Sequence, residues 1–330
     1  MPPAATEARF PQVHEGRGHY ESFYIRAVDP ARPLGAWIRY TIHKRPHERP
    51  RGSLWFTLFD ASAEGPVASK VTFEPDQLGA GDGAYVRIGE SAFEPGQATG
   101  SAKTEQADAS WRLSFDGGPP LRHLPRDWMY RTPIPRTKLE SPMPAATFQG
   151  ELNLDGRRID VDGWRGMIGH NWGSQHAERW IWMHGVDLDQ PGGAWLDVAI
   201  GRVKVGPLTT PWIANGAVHL ADRTLRVGGP AARGTEVHEG PSRCDFVLPG
   251  GEAEIRGHVT APPKDFVGWL YADPDGSQHN TVNCSIAEMH VTVARNGKHA
   301  AELGTSQGAA YELGMRETDH GVPIQPFPDG

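Results

Sequence analysis

Residues 281–294 read TVNCSIAEMHVTVA and lead into Asn296-Gly297. The stretch is rich in β-branched residues and reads as one long strand. Asn-Gly tolerates the positive φ of a two-residue type I′ turn, so it marks a hairpin at the strand's end. Along such a strand Asn283 faces opposite to Cys284 and Glu288 by parity. A buried Glu288 would need a partner, so it either faces solvent or is functional. Cys284 reads as a small core residue rather than a nucleophile.

Working outward, the same grammar recurs. Leu152 and Leu154 run into Asp155-Gly156, and Arg158, Ile159 and Val161 follow, a second hairpin signal. Residues 36–42, AWIRYTI, place Ala36, Ile38, Tyr40 and Ile42 on one face. Residues 53–59, SLWFTLF, read as a strand buried on both faces, and Trp111, Leu113 and Phe115 alternate. Helical spacing rarely persists beyond two turns. The chain is therefore expected to be all-β, with its 40 glycines and 29 prolines spread as turns between many short strands.

At 330 residues the chain suits two domains of ordinary size. Residues 117–145 break the strand rhythm with six prolines between Pro119 and Pro142, a semi-rigid crossing segment. The boundary is expected near residue 148, giving halves 1–148 and 149–330. Each half has room for about eight to ten short strands. Closing such a sheet into a barrel removes its edges and leaves space for one small ligand. Trp128, Met129 and Tyr130 are expected to pack against a barrel or line its mouth. Residues 318–330 are polar and Pro-rich and are expected to fray.

Composition narrows the partners. Net charge is -7, pI is near 6.1, and no Lys/Arg run stands out, which argues against nucleic acid or an anionic membrane surface. No stretch approaches the roughly 18 apolar residues of a membrane span. The N-terminus shows no apolar signal-peptide core, and Cys244 and Cys284 form no disulfide framework or CxxC pattern. A reducing, cytoplasmic location is the expectation. No GxSxG, HExxH or Walker pattern occurs, and the glycines at 79–83 mean only a turn.

Chemistry concentrates in residues 163–188, GWRGMIGHNWGSQHAERWIWMHGVDL. If 178–188 is a strand, Glu178, Trp180, Trp182, His184 and Val186 share one face, which in a barrel can line the lumen. Such a row suits a largely apolar ligand. Indole faces bury area and attract developing positive charge, and a carboxyl among indoles is desolvated and suited to general-acid use. GHNWGSQH would form a loop at the barrel mouth. The bland alternative makes the tryptophans core and pairs Glu178 with an arginine. A metal on His170, His176 and His184 matches no known ligand spacing, so no metal or other cofactor is expected.

The segment GHNWGSQHAERWIWMHG resembles the (D/G)H-x-WG region of proteins related to carotenoid 1,2-hydratase (hydroxyneurosporene synthase). That family is similar to tocopherol cyclase and fungal Diels–Alderase-like proteins. A looser likeness covers most of the chain, including Trp128-Met129-Tyr130 and residues 283–289, NCSIAEM. The resemblance implies a calycin-like pair of lipocalin-like antiparallel β-barrels with little helix, terpenoid- or polyketide-like ligands, and no nicotinamide, flavin or obligatory metal. Carotenoid hydratases often place an acid before the His. Here Gly169 stands there, a departure that argues against a carotenoid substrate, and the compact, Trp-rich segment suits a smaller ligand.

These readings converge on a cofactor-independent hydratase, cyclase or isomerase for a small apolar unsaturated molecule. Glu178 is the expected general acid, with His176 or His184 orienting water or relaying a proton and His170 beside them. Trp172, Trp180 and Trp182 are expected to shape the pocket, with Trp128 beside them. Tyr130, Asn171 and Asn283 are expected to hold a polar end of the ligand. The rivals are a non-catalytic lipocalin-like carrier, a pericyclase and a protein with a filled core.

Overall fold

The computed structural model describes residues 7–81, 83–188, 193–221, 223–229 and 232–329. Helix amounts to 4% of the chain, and two large antiparallel sheets, curled or nearly closed, carry the fold. The alternation and hairpin signals dictated this outcome. Asp155-Gly156 and Asn296-Gly297 both form two-residue turns at positive φ, 52° and 79° in the first and 49° and 73° in the second.

The first sheet runs Val67–Phe73, Arg51–Asp60, Leu34–Lys44, His19–Val28, Arg157–Gly173, Thr137–Leu154, Asp108–Gly117, then four shorter strands back to Leu78–Gly81. Its inner face is filled. Phe23, Ile25, Ile38, Tyr40, Leu54, Phe56, Trp111 and Phe148 form one apolar core there. The second sheet runs Arg223–Gly228, Ile213–Leu220, Trp195–Arg202, Arg179–Gly185, Lys298–Met315, Gln278–Arg295, Ala253–Thr260, Arg243–Leu248, Glu236–Gly240, with Val267–Ala272 attached to Gln278–Arg295. Ile181, Met183, Val198, Phe246 and Val291 belong to its core.

Strand 53–59 is buried on both faces, as expected. Leu54, Phe56 and Leu58 fill the first barrel, while Trp55 on the opposite face meets Trp269 of the second sheet at 4.8 Å between ring centroids. The barrels are thus packed side by side through an aromatic layer. The changeover between sheets corrects the boundary expected near 148. Thr137–Leu154 and Arg157–Gly173 both pair into the first sheet, so the crossing falls between Gly173 and Arg179. The prolines misled because they interrupt strand rhythm without ending the sheet. Thr137–Leu154 absorbs Pro142 and Pro144 at register shifts.

The C-terminal stretch is anchored rather than frayed. Asp329 accepts from Lys70 Nζ at 2.7 Å and from the Ala272 N–H at 2.9 Å, and Phe327 packs on Trp269. Among the described residues no helix is long and apolar enough to cross a membrane.

Candidate active site between the barrels

The face bearing Trp180, Trp182 and His184 is the outer face of the second barrel. Ile181 and Met183 take the core side, so the tryptophan row points at the first barrel and not into a lumen. This corrects the lumen-facing expectation, and the physical reason is packing. The alternate face carries the aliphatic residues that a barrel interior can close upon. Between the barrels lies a cavity of about 300 Å³. Tyr24, Trp37 and Arg39 come to it from the first sheet, Trp180, Trp182 and Glu312 from the second. Met129, Leu124 and Pro135 of the crossing segment close one side.

Two glycines make room for the rings in the wall. A Cβ on Gly169 would lie 2.0 Å from the Tyr24 ring, and one on Gly314 would lie 2.2 Å from the Trp180 indole. The residue before His170 is therefore glycine because Tyr24 lies against its backbone, and an acid there would displace a wall of the cavity.

His176 sits on the five-residue passage between the sheets. Its ring lines the cavity, stacked on Tyr20 at 3.9 Å and facing Trp180 at 5.3 Å. His176 Nδ1 lies 2.8 Å from Asp273 Oδ1, and the His176 backbone N–H donates to the same oxygen at 2.7 Å. Nδ1 is therefore the nitrogen that donates to the carboxylate. His176 Nε2 is buried and has no hydrogen-bond partner. Asp273 is itself held by a tight turn, its N–H donating to Ser277 O at 2.7 Å. Burial works to raise the Asp273 pKa, but the His176 ring and backbone N–H outweigh it and hold the carboxyl below its ordinary range.

Glu312 supplies a second polar centre. Trp180 Nε1 donates to its Oε1 at 2.9 Å, and Tyr271 OH and Asn283 Nδ2 each donate to Oε2 at 3.2 Å. Burial first, with the neighbouring Glu312 charge also contributing, pushes the Tyr271 phenol well above its ordinary value despite Arg39 nearby, so it remains a donor. At the other end, Trp182 Nε1 donates to buried Asp197 Oδ1 at 3.2 Å, and His123 and Ser141 meet Asp197 Oδ2. His123 Nδ1 faces Asn215 O, so both its nitrogens are engaged in bracing the two sheets.

The other expected site residues separate. Glu178 is partly exposed, pairs with Arg316 at 3.3 Å and stands outside the cavity wall, as the bland reading had it. His184 is fully buried, with Nδ1 facing Arg26 Nη1 and Nε2 facing Pro144 O, so neither nitrogen reaches a ligand. His170 is buried against Phe23 and Trp172 at the end of the first barrel, 2.8 Å from Glu21. Burial opposes ionisation of Glu21, but hydrogen bonds from His170 and His19 bring its pKa down to about 2. Trp172 belongs to that cluster. Trp128 is 56% exposed on a single helical turn, and Tyr130 OH is committed to Leu139 O and the Leu124 N–H. Asn171 does line the cavity, with a buried Oδ1 lacking a partner. Asn283 braces Glu312. Glu288 faces solvent, and the two buried cysteines are free, their thiols pushed up to about 12 by burial.

Among the described residues, His176, Asp273 and His279 form the group able to hold a metal, with ligand atoms within 4.8 Å of one another. It shares only His176 with the set weighed from sequence. A cation there would have to displace the proton between His176 Nδ1 and Asp273.

Asp273, Glu312, Arg39 and Tyr271 escaped the sequence reading. Asp273 stands in the turn-forming stretch DPDGS, and Glu312 reaches the site only through cross-strand registers with Trp182 and Asn283. Arg39 alone carried a signal, a charge in the middle of the strand Leu34–Lys44 beside Trp37.

Fold and site together define a lipocalin-like double β-barrel with a polar-edged aromatic cavity at the barrel junction. The chain is similar, at 28% identity over 325 residues, to Uncharacterized protein Rv0493c of Mycobacterium tuberculosis (strain ATCC 25618 / H37Rv). It is equally similar to Uncharacterized protein MT0513 of strain CDC 1551 / Oshkosh, and each match covers 94% of this chain and 91% of the relative. No family model matches. Among solved structures, a putative AttH from Nitrosomonas europaea aligns with TM-score 0.55 at 18% identity over 95% of this chain and 97% of that one. Kievitone hydratase from Nectria haematococca aligns with TM-score 0.51 at 10% identity, covering 96% and 93%. CghA, solved with Sch210972, aligns with TM-score 0.53 at 12% identity, covering 92% and 89%. At these identities the likeness is one of fold.

Proposed function

We propose that this chain is a cofactor-independent enzyme that adds water to, or closes a ring in, a small apolar unsaturated molecule held between the barrels. The observation that carries this reading is His176. Its Nδ1 is oriented by Asp273, and its unpartnered Nε2 belongs to a ring that lines the cavity. With Nδ1 held on a carboxylate, Nε2 is the ring atom left to exchange a proton. Nε2 takes a proton from water as its oxygen adds to one alkene carbon, and returns that proton to the adjacent carbon. The net change is addition of H and OH with no oxidant or reductant. Trp180, Trp182 and Tyr24 supply apolar walls, and Glu312 locks Trp180 and Tyr271 in place.

The fold shared with kievitone hydratase and CghA supports a small-molecule-modifying role, since one is a hydratase by name and the other was solved with a bound small molecule. The test begins with native mass spectrometry of the purified protein to identify a co-purified compound. That compound is then incubated with the protein in ¹⁸O-labelled water. Label incorporation, or isomerisation without label, that disappears in His176→Ala supports the proposal. Unchanged turnover in His176→Ala overturns it in favour of a pericyclase, and no conversion by the wild type leaves the carrier.

A further inference from the structure

Arg39 is only 6% exposed and lines the cavity, yet no carboxylate pairs with it among the described residues. Its Nε donates to Ser22 Oγ at 2.9 Å, while Nη1 is buried with no hydrogen-bond partner. The guanidinium is instead enclosed by three aromatic faces, 5.1 Å from the centroid of Trp37, 5.1 Å from that of Trp55 and 4.4 Å from that of Tyr271. Cation–π contact offsets part of the loss of water but leaves the planar N–H fork unanswered.

The carboxylate available in the same cavity does not answer it either. Both oxygens of Glu312 are occupied by Trp180, Tyr271 and Asn283. Asp197 is taken by Trp182, Ser141 and His123, and Asp273 by His176 and Ser277. The contrast with Lys70 nearby is informative, because that buried cation stacks on Trp55 and also has its own counter-ion in Asp329. A buried guanidinium that lines a cavity, is held rigidly among rings and keeps an unsatisfied N–H matches a planar anion arriving from outside.

We infer that Arg39 is the anion subsite of this cavity and that the ligand is an apolar unsaturated molecule bearing a carboxylate. The inference rests on the proposed function insofar as that reading makes the cavity the ligand site, and it adds the substrate class. The carboxylate binds Arg39 at the Trp37–Tyr271 end, and the apolar body lies along Trp180 and Trp182 within reach of His176. An alkene conjugated to that carboxylate would be polarised by the guanidinium, which stabilises the negative charge that develops as water adds.

The test uses geranic acid, its methyl ester and geraniol as probes, titrated into the full-length protein by calorimetry and by tryptophan fluorescence. The expected result is that geranic acid binds at least tenfold tighter than either neutral probe. Arg39→Gln is expected to remove that preference while leaving geraniol affinity within about twofold. The wild-type comparison needs no variant, so the inference stays testable if Arg39→Gln does not fold. Equal affinity for acid and alcohol, with geraniol bound, overturns the Arg39 inference and leaves the cavity reading intact. Absence of binding by all three probes at millimolar concentration overturns both.

Discussion

Arg26 and His184 face each other across the junction of the two barrels, with Arg26 Nη1 3.1 Å from His184 Nδ1. Arg26 Nη2 donates to Ser285 O at 2.8 Å, and His184 Nε2 donates to Pro144 O at 2.8 Å. An arginine can only donate, so His184 must accept at Nδ1 and carry its single proton on Nε2. Burial first, then the Arg26 charge, brings the His184 pKa down to about 4.

This pair makes stability depend on pH in a defined window. The unfolded chain protonates His184 below its ordinary value of 6.5, while the folded chain does not until about 4. The unfolded state therefore binds more protons in that interval, and stability falls as pH drops from about 6.5 to about 4. The size is up to about 3 kcal/mol, at roughly 1.4 kcal/mol for each pH unit. Below that window Glu21 takes over, its stabilisation lost as pH falls from 4.5 toward about 2. Urea midpoints at pH 7.5, 6.5, 5.5 and 4.5 check this, with a shallower slope expected in His184→Gln. A flat wild-type profile would refute the assignment.

Arg26 itself is fully buried, its pKa lowered to about 9 by that burial. Arg26→Ala leaves His184 Nδ1 and Ser285 O facing a dry space with no donor. A cost of about 2–6 kcal/mol is expected, since each of the two orphaned buried acceptors costs roughly 1–3 kcal/mol. The same urea titration at pH 7.5 measures it. A loss below about 1 kcal/mol would mean that water enters the junction.

These two residues also show how far the sequence could be read. Alternation correctly assigned Ala36, Ile38, Tyr40 and Ile42 to one core face, because that pattern depends only on neighbours along the strand. Of the row Glu178, Trp180, Trp182, His184 and Val186, only the middle three lie on the strand, which runs from Arg179 to Gly185, and Val186 joins the core. Which face a barrel turns inward was misjudged because the indoles drew the reading, although Ile181 and Met183 on the other face are the aliphatics that the interior takes. Arg26 with His184 and His176 with Asp273 are pairs separated by 158 and 97 positions, joined only after both sheets have formed. His176 was legible as one of a histidine cluster. The unpaired state of its Nε2 was not.

The histidine–aspartate group allows a direct test for metal. His279 is fully buried with both ring nitrogens unpartnered, and its Nδ1 lies 3.7 Å from Asp273 Oδ2. If His176 works as a proton carrier, dialysis against a chelator leaves turnover of the co-purified compound unchanged, and added zinc inhibits by taking the place of the Nδ1 proton. Elemental analysis of the purified protein provides the independent reading. Stoichiometric metal lost together with activity would replace the proton-carrier role with a metal centre at the same three residues.

The last prediction separates the acid expected from sequence from the dyad found in the fold. The Glu178 carboxyl is tied to Arg316 outside the cavity wall, so Glu178→Gln should keep kcat and KM within about twofold. His176→Gln retains a hydrogen-bonding side chain of similar reach but cannot exchange a proton near neutral pH. Its kcat should fall by about 10²–10⁴, the usual range for a lost general acid–base group. Asp273→Asn can no longer accept two N–H groups as an anion, so the His176 ring loses its fixed orientation. It should lower kcat by a smaller factor and leave KM nearly unchanged, because Asp273 is buried behind His176 and touches no ligand. Steady-state kinetics on the co-purified compound give the order. If Glu178→Gln is the inactive variant and His176→Gln is not, the proton donor lies at the surface pair with Arg316 and the cavity dyad is a structural brace.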